Sequence, residues 1–186
     1  MIKWKILSEE YTDFLRNNYE PRIPYTDYGK DKYKPFFGEL FRVGDLVYVT
    51  QVTSPKPRHY KLKNSLDFQK IYLGDRLISC VNLNYMFPVP DTQLCDLEYS
   101  CIDSFVRFAS EKDKSRYIRL LQYELQEINK LPIERNAQIL YKRKYEKPDD
   151  SISKRCFDFL YLEQCAQKWT ENSPDTNEKI PVGSSN

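Results

Sequence analysis

The hydrophobic period of this chain changes once, and that change constrains its fold more than any other feature. Up to about residue 89 the apolar residues alternate with polar ones or form short β-branched and aromatic runs, as strands require. From Ser110 onward they return every three or four residues, which is the repeat of a helix. Strands first and helices later predict an α+β architecture on an antiparallel sheet. A chain of 186 residues is expected to form one domain, here 1–169. The polar end from 170 to 186, with two prolines and a Gly-Ser-Ser-Asn finish, is expected to be a mobile tail.

Local signals divide the domain further. Ile2, Trp4 and Ile6 share one face of an opening strand, with Lys3 and Lys5 on the other. Ser8 is placed to cap a helix with Glu9 and Glu10 in its first turn. Tyr11, Phe14 and Leu15 would be its buried side, and Pro21 would follow its end. Residues 20–35, with Pro21, Pro24, Gly29 and Pro35, read as a long ordered loop, a kind of segment that is often functional. A strand from Phe36 to Val43, a Gly44-Asp45 turn and a strand from Leu46 to Thr53 predict a hairpin. Further strands are expected at Phe68–Leu73, Leu77–Asn82 and Met86–Val89, with Pro88 and Pro90 marking an edge. Ser110 and Asp113 begin a helix with Tyr117, Leu120, Leu121, Leu125, Ile128 and Leu131 as its stripe. Pro132 suits the first turn of a second helix, and a third is expected from Ser151 to Trp169.

Composition removes several functional classes. No apolar run approaches the roughly 18 residues of a membrane span, and the start lacks a signal-peptide pattern, so a cytoplasmic location is the default. Cys80, Cys95, Cys101, Cys156 and Cys165 have no metal-ligand spacing and read as small buried thiols. A single histidine, His59, excludes a His-rich metal site and any mechanism built on two imidazoles. Asp149-Asp150 and Asp96 with Glu98 lack a metal-binding pattern and read as helix-start or surface acids. No cofactor motif occurs.

The charge is nearly balanced overall, at +2, but not locally. Between Gly29 and Lys63 eight basic residues face three acids, +5 for the segment and −3 for the rest. Tyr28, Tyr33, His59 and Tyr60 are interleaved with Lys30, Lys34, Arg58, Lys61, Lys63 and Asn64. Cations for phosphates and aromatic faces for unpaired bases are the requirements of RNA binding; a solvated basic loop is the plainer alternative. The sharper feature is Thr53-Ser54-Pro55-Lys56-Pro57-Arg58-His59, directly after a strand. It sets two hydroxyls beside a lysine whose flanking prolines limit the backbone. Hydrogen-bond donors and a cation on equatorial oxygens are what phosphoryl chemistry needs. His59 has the best ordinary pKa for moving a proton.

These residues resemble the ToxN/AbiQ family, endoribonuclease toxins of type III toxin–antitoxin systems. The resemblance runs over roughly residues 1 to 169. It rests on Tyr11 with Phe14-Leu15, Tyr33-Lys34-Pro35-Phe36-Phe37-Gly38, Val52-Thr53-Ser54-Pro55-Lys56, and the stretch from Lys63 to Ile71. Val81-Asn82-Leu83-Asn84-Tyr85-Met86-Phe87-Pro88-Val89 and Cys156-Phe157-Asp158-Phe159 complete it. The resemblance implies a strongly curved, Kid/MazF-like antiparallel sheet surrounded by helices. It implies metal-independent RNA cleavage through the ribose 2′-oxygen to a 2′,3′-cyclic phosphate and a 5′-hydroxyl. It also implies a repeated, pseudoknotted antitoxin RNA that the toxin processes and then holds in a closed assembly. Cellular and phage RNA would be the other substrates, with growth arrest or abortive infection as the outcome. Lys34, Thr53, Ser54 and Lys56 match the family's catalytic block. His59 either moves a proton or contacts RNA, and Tyr28 and Tyr33 compete for a loop tyrosine. Lys30, Arg58, Lys61, Lys63 and Asn64 are the remaining expected RNA contacts. The alternatives are a non-catalytic RNA-binding module and a MazF-like toxin with a protein antitoxin.

Overall fold

The computed structural model describes residues 1–29 and 33–172. Lys30 and residues 173–186 of the expected tail lie outside the described residues. Thr170, Glu171 and Asn172 continue the last helix.

The expected α+β class is observed. In chain order the elements are β1 (Lys3–Leu7), α1 (Glu9–Asn18), β2 (Phe36–Gly38), β3 (Arg42–Val43), β4 (Leu46–Thr53) and α2 (Pro57–Lys61). Then come β5 (Phe68–Leu73), β6 (Arg76–Asn82), β7 (Phe87–Pro90) and β8 (Leu94–Asp96). The helical part is α3 (Glu111–Ile128), α4 (Ile133–Glu146), α5 (Ser151–Arg155) and α6 (Phe159–Asn172). The sheet runs β5-β6-β4-β2-β1-β8, and β3 and β7 also pair with β4. Every pairing between these strands is antiparallel.

β4 is the hub. Its first half pairs with β3 on one edge, Arg42 opposite Val47, and with β7 on the other, Val47 opposite Val89. Its second half pairs with β2, Phe37 opposite Thr50, and with β6, Thr53 opposite Cys80. β-Branched and aromatic residues covered on both faces explain why Val47, Tyr48 and Val49 are fully buried. β7 contains Pro88 and Pro90 and pairs with β4 alone, the edge position that proline tolerates.

β1 differs from a half-buried strand. It lies between β2 and β8, so Lys5 is buried although it points away from Trp4 and Ile6. Its ammonium is compensated by Asp96 at 2.7 Å and Glu39 at 3.6 Å. Ser8 caps α1 by accepting the Tyr11 N–H at 3.2 Å, and the Tyr11 hydroxyl donates to the Pro88 carbonyl at 2.7 Å. Ser110 caps α3 by accepting the Asp113 N–H. The indole of Trp4 donates to the Leu121 carbonyl at 2.9 Å, which docks α3 on β1.

Two expected elements are broken. The strand expected from Phe36 to Val43 splits into β2 and β3, and Leu40 N–H and Tyr48 N–H maintain the ladder by bonding to Tyr48 and Phe41 carbonyls. The helix expected from Ser151 to Trp169 splits into α5 and α6. Phe157 leaves the helix path to become fully buried, and its N–H donates to the Asn84 carbonyl. Asp158 restarts the helix by accepting the Tyr161 N–H. The polar connection after Thr53 contains the short helix α2, with Pro57 in its first turn. Cys80, Cys156 and Cys165 are buried, Cys95 and Cys101 are half-buried, and all five are free thiols. No helix among the described residues is long and apolar enough to cross a membrane.

Candidate active site

The end of β4 is where the ladder stops. Thr53 is its last paired residue and is half-buried, and Ser54 after it is exposed. Lys34 arrives from the loop before β2, and its Nζ donates to Ser54 Oγ at 3.0 Å. The same Nζ lies 5.5 Å from the centre of the Tyr28 ring, within the range of a cation–π contact. Lys56 follows at the start of α2 with its side chain exposed. These residues line an open cleft of about 500 Å³ that also includes Pro24, Gln51 and Arg58. Lysines, hydroxyls and an aromatic face thus converge around a space large enough for a nucleotide phosphate and its ribose.

The loop is held by a residue that sequence reasoning did not single out. Gln51, buried in β4, donates from Nε2 to the Tyr25 carbonyl at 2.9 Å and to the Lys34 carbonyl at 2.6 Å. Its Oε1 accepts the Tyr28 hydroxyl at 2.9 Å. Carbonyls only accept, so these partners fix which end of the amide faces which group. The Lys34 N–H donates to the Thr26 carbonyl. From α1, Arg16 donates to the Ile23 and Pro24 carbonyls and lies 3.7 Å from the Tyr25 ring centre. Partial burial moves the Tyr28 phenol above its ordinary pKa, so it stays protonated and donates at neutral pH.

Two expected site residues, Tyr33 and His59, are buried. Tyr33 is buried, its ring stacked on Phe105 and its carbonyl accepting the Tyr117 hydroxyl. It is a core residue with no face open for a base, whereas Tyr28 borders the cleft. His59 borders the cleft wall but is only 2% exposed. Its Nδ1 accepts the Lys56 backbone N–H at 3.2 Å, while the His59 backbone N–H donates to the Lys56 carbonyl at 2.8 Å. Desolvation, then the charges of Arg58, Lys56 and Lys70, lower its pKa. The neutral imidazole is thus held through Nδ1 on the backbone of Lys56 at the start of α2, and its Nε2 lies 3.4 Å from Arg58 Nε.

The outer basic residues divide by role. Arg58, Lys61 and Lys63 are exposed on and after α2. Asn64 is exposed too, yet its Oδ1 accepts the Lys70 N–H at 3.0 Å and ties the connection to β5. Asp96 pairs with Lys3 and Lys5, and Asp150 caps α5 and pairs with Arg143. Among the described residues no group of three His, Cys, Asp or Glu side chains is placed to hold a metal ion.

A protein-family model described as toxin ToxN of type III toxin–antitoxin systems matches residues 3–167. No curated protein matches the chain. Among solved structures, one described as selective toxin inhibition by a non-coding RNA pseudoknot in a bacterial type III system is 23% identical. It covers 91% of this chain and 98% of its own, with a TM-score of 0.69. A second, described as a bacterial antiviral system regulated by a processed non-coding RNA, is 20% identical over 89% and 98% of the two chains, TM-score 0.71. A third, the lactococcal anti-phage endoribonuclease AbiQ, is 19% identical over 92% and 99%, TM-score 0.70. These structures share the fold of this chain.

Proposed function

The chain belongs to the ToxN family of toxins from type III toxin–antitoxin systems, and from that premise we propose that it is an endoribonuclease restrained by a structured antitoxin RNA. The observation that carries this reading is the 3.0 Å contact of Lys34 Nζ with Ser54 Oγ at the mouth of a cleft shared with Thr53, Lys56 and Tyr28. The reaction is transfer of the scissile phosphate to the adjacent ribose 2′-oxygen. The 2′-oxygen forms a bond to phosphorus as its proton leaves, and the bond to the 5′-oxygen breaks as that oxygen gains a proton. The products are a 2′,3′-cyclic phosphate and a 5′-hydroxyl.

Lys34 and Lys56 neutralise the charge that builds on the equatorial oxygens, and Ser54 and Thr53 donate hydrogen bonds to them. His59 positions Lys56 through its backbone. Tyr28 supplies an aromatic face for the base or ribose, and Arg58, Lys61 and Lys63 follow the RNA backbone outward. Charge stabilisation by side chains alone suffices for this chemistry, so we read the cleavage as metal-independent. The related structures concern inhibition by an RNA pseudoknot, a processed regulatory RNA and an anti-phage endoribonuclease. They support an RNA antitoxin; that this RNA is repeated, that it closes an assembly with the toxin and that phage RNA is a substrate are parts of the proposal. The split partners on both edges of β4 support the strongly curved, Kid/MazF-like reading of the sheet.

The test uses purified protein, a mixed-sequence RNA and excess EDTA. Fragments with 2′,3′-cyclic phosphate ends are expected, and Lys56→Ala should lower their rate by about 10²–10³-fold, the usual cost of one lost donor to a developing anion. RNA that is bound but never cut would overturn the catalytic reading and leave a binding module.

A further inference from the structure

Lys34, Thr53 and Ser54 form a wall with two sides. The outer side is the open cleft. The inner side faces a smaller pocket of about 120 Å³, lined by Tyr33 and Pro35 from the loop, Ile78 and Ser79 from β6, and Tyr117, Leu121 and Glu124 from α3. Glu124 is 4% exposed. It stands three residues after buried Leu121 and four before buried Ile128, on the face where a helix is expected to carry an aliphatic side chain. An acid at a core position is costly unless another group compensates it, and such exceptions concentrate at functional sites.

We infer that Glu124 is a positioning residue of the active site, its carboxylate acting from the inner cavity as the counter-charge that holds the Lys34 ammonium against Ser54. This inference rests on the ribonuclease reading above. The groups around Glu124 leave it few alternatives. Among the described residues, Tyr33 and Tyr117 are the titratable groups that line this pocket besides Lys34, and burial raises both phenols above their ordinary pKa, so they are neutral. β4 and β6 contribute to this cavity only Val52, Thr53, Ser54, Ile78 and Ser79. Burial pushes the Glu124 carboxyl up to about 7, and the Ser79 hydroxyl and the Lys34 charge oppose that rise by favouring the ionised form. Loss of a proton at Glu124 therefore creates the anion that steadies Lys34; gain of that proton removes this counter-charge.

Two measurements test this. The first is the pH–rate profile of RNA cleavage in EDTA for the wild type and Glu124→Gln, whose amide preserves shape. The wild type should show an acid limb near pH 7. Glu124→Gln should lack that limb and cut more slowly at pH 8, by up to about a hundredfold, as misplacement of a reacting group can cost. The second is a carbon NMR titration of the Glu124 carboxyl in the wild type and in Lys34→Ala, which keeps the acid and removes the cation. The midpoint should move upward by about one unit, the lower end of the effect of a nearby opposite charge. An unchanged acid limb in Glu124→Gln, or a midpoint indifferent to Lys34→Ala, overturns the inference. If the wild type binds RNA without cutting it, the ribonuclease reading falls, and the titration alone decides the coupling: movement supports it and stasis overturns it.

Discussion

Replacing Gln51 by Leu tests how the loop that carries Lys34 is held. The substitution keeps much of the side-chain volume and removes the hydrogen bonds to Tyr25, Lys34 and Tyr28. Each such bond contributes about 1 kcal/mol net, so the loop loses about 3 kcal/mol of its hold on the sheet, roughly a hundredfold in its opening equilibrium. The loss is local, because β4 keeps its ladders through residues on either side of Gln51. Native-state hydrogen exchange reads it directly. The Lys34 amide, which donates to the Thr26 carbonyl, should exchange on the order of 10²-fold faster. The β1 amides that pair with β2 and β8 should change little, and RNA cleavage should fall with the Lys34 protection. Protection of Lys34 within threefold of the wild type would refute the reasoning. Arg16 and the loop prolines would then be sufficient to hold the loop.

Two further outcomes follow from burial. Phe157→Ala, at a fully buried ring packed 5.3 Å from Tyr85, should cost about 3–5 kcal/mol in urea denaturation; a loss below 1 kcal/mol would mean that the break between α5 and α6 is not anchored by that ring. Glu124 also ties stability to pH. Its carboxyl is raised to about 7 in the folded chain from 4.5, so the folded state holds that proton more tightly. Its contribution is fully present below about 4.5 and is lost as pH rises through 7. Between pH 5 and pH 8 this group alone should remove about 2–3 kcal/mol, and Glu124→Gln should lack that part of the slope.

The reach of the sequence depended on how far apart the cooperating residues lie. Ser8 and Ser110 were readable as caps because each bonds an amide three residues away. Thr53, Ser54 and Lys56 were readable as one cluster because a strand end is contiguous in the chain, and all three line the same cleft. Gln51 was invisible, since its partners lie up to 26 residues away and a glutamine in a strand carries no mark of its role. Glu124 did carry a mark, a polar residue interrupting an apolar stripe, but only β6 and the loop packed over α3 show what it faces. His59 was legible only in part. A lone histidine among lysines suggests proton transfer, and only the geometry of α2 shows its Nδ1 spent on the Lys56 N–H. The gap between α5 and α6 has no proline or glycine to announce it; the burial of Phe157 imposes it.

The strand order also sets when the wall behind the cleft can close as the chain is made. β1 emerges from the ribosome first, yet its partner β8 lies some ninety residues later, Leu7 opposite Leu94. The Trp4 indole waits longer still, for the Leu121 carbonyl. The loop that carries Lys34 is sealed from behind only when Tyr117 reaches the Tyr33 carbonyl. Domains fold as units during synthesis, and this unit closes only after most of α3 has been delivered. A truncated nascent chain holding every residue of the Thr53–Lys56 block would still lack the wall that stands behind it. The topology thus delays that wall until α3, which ends at Ile128, has been made.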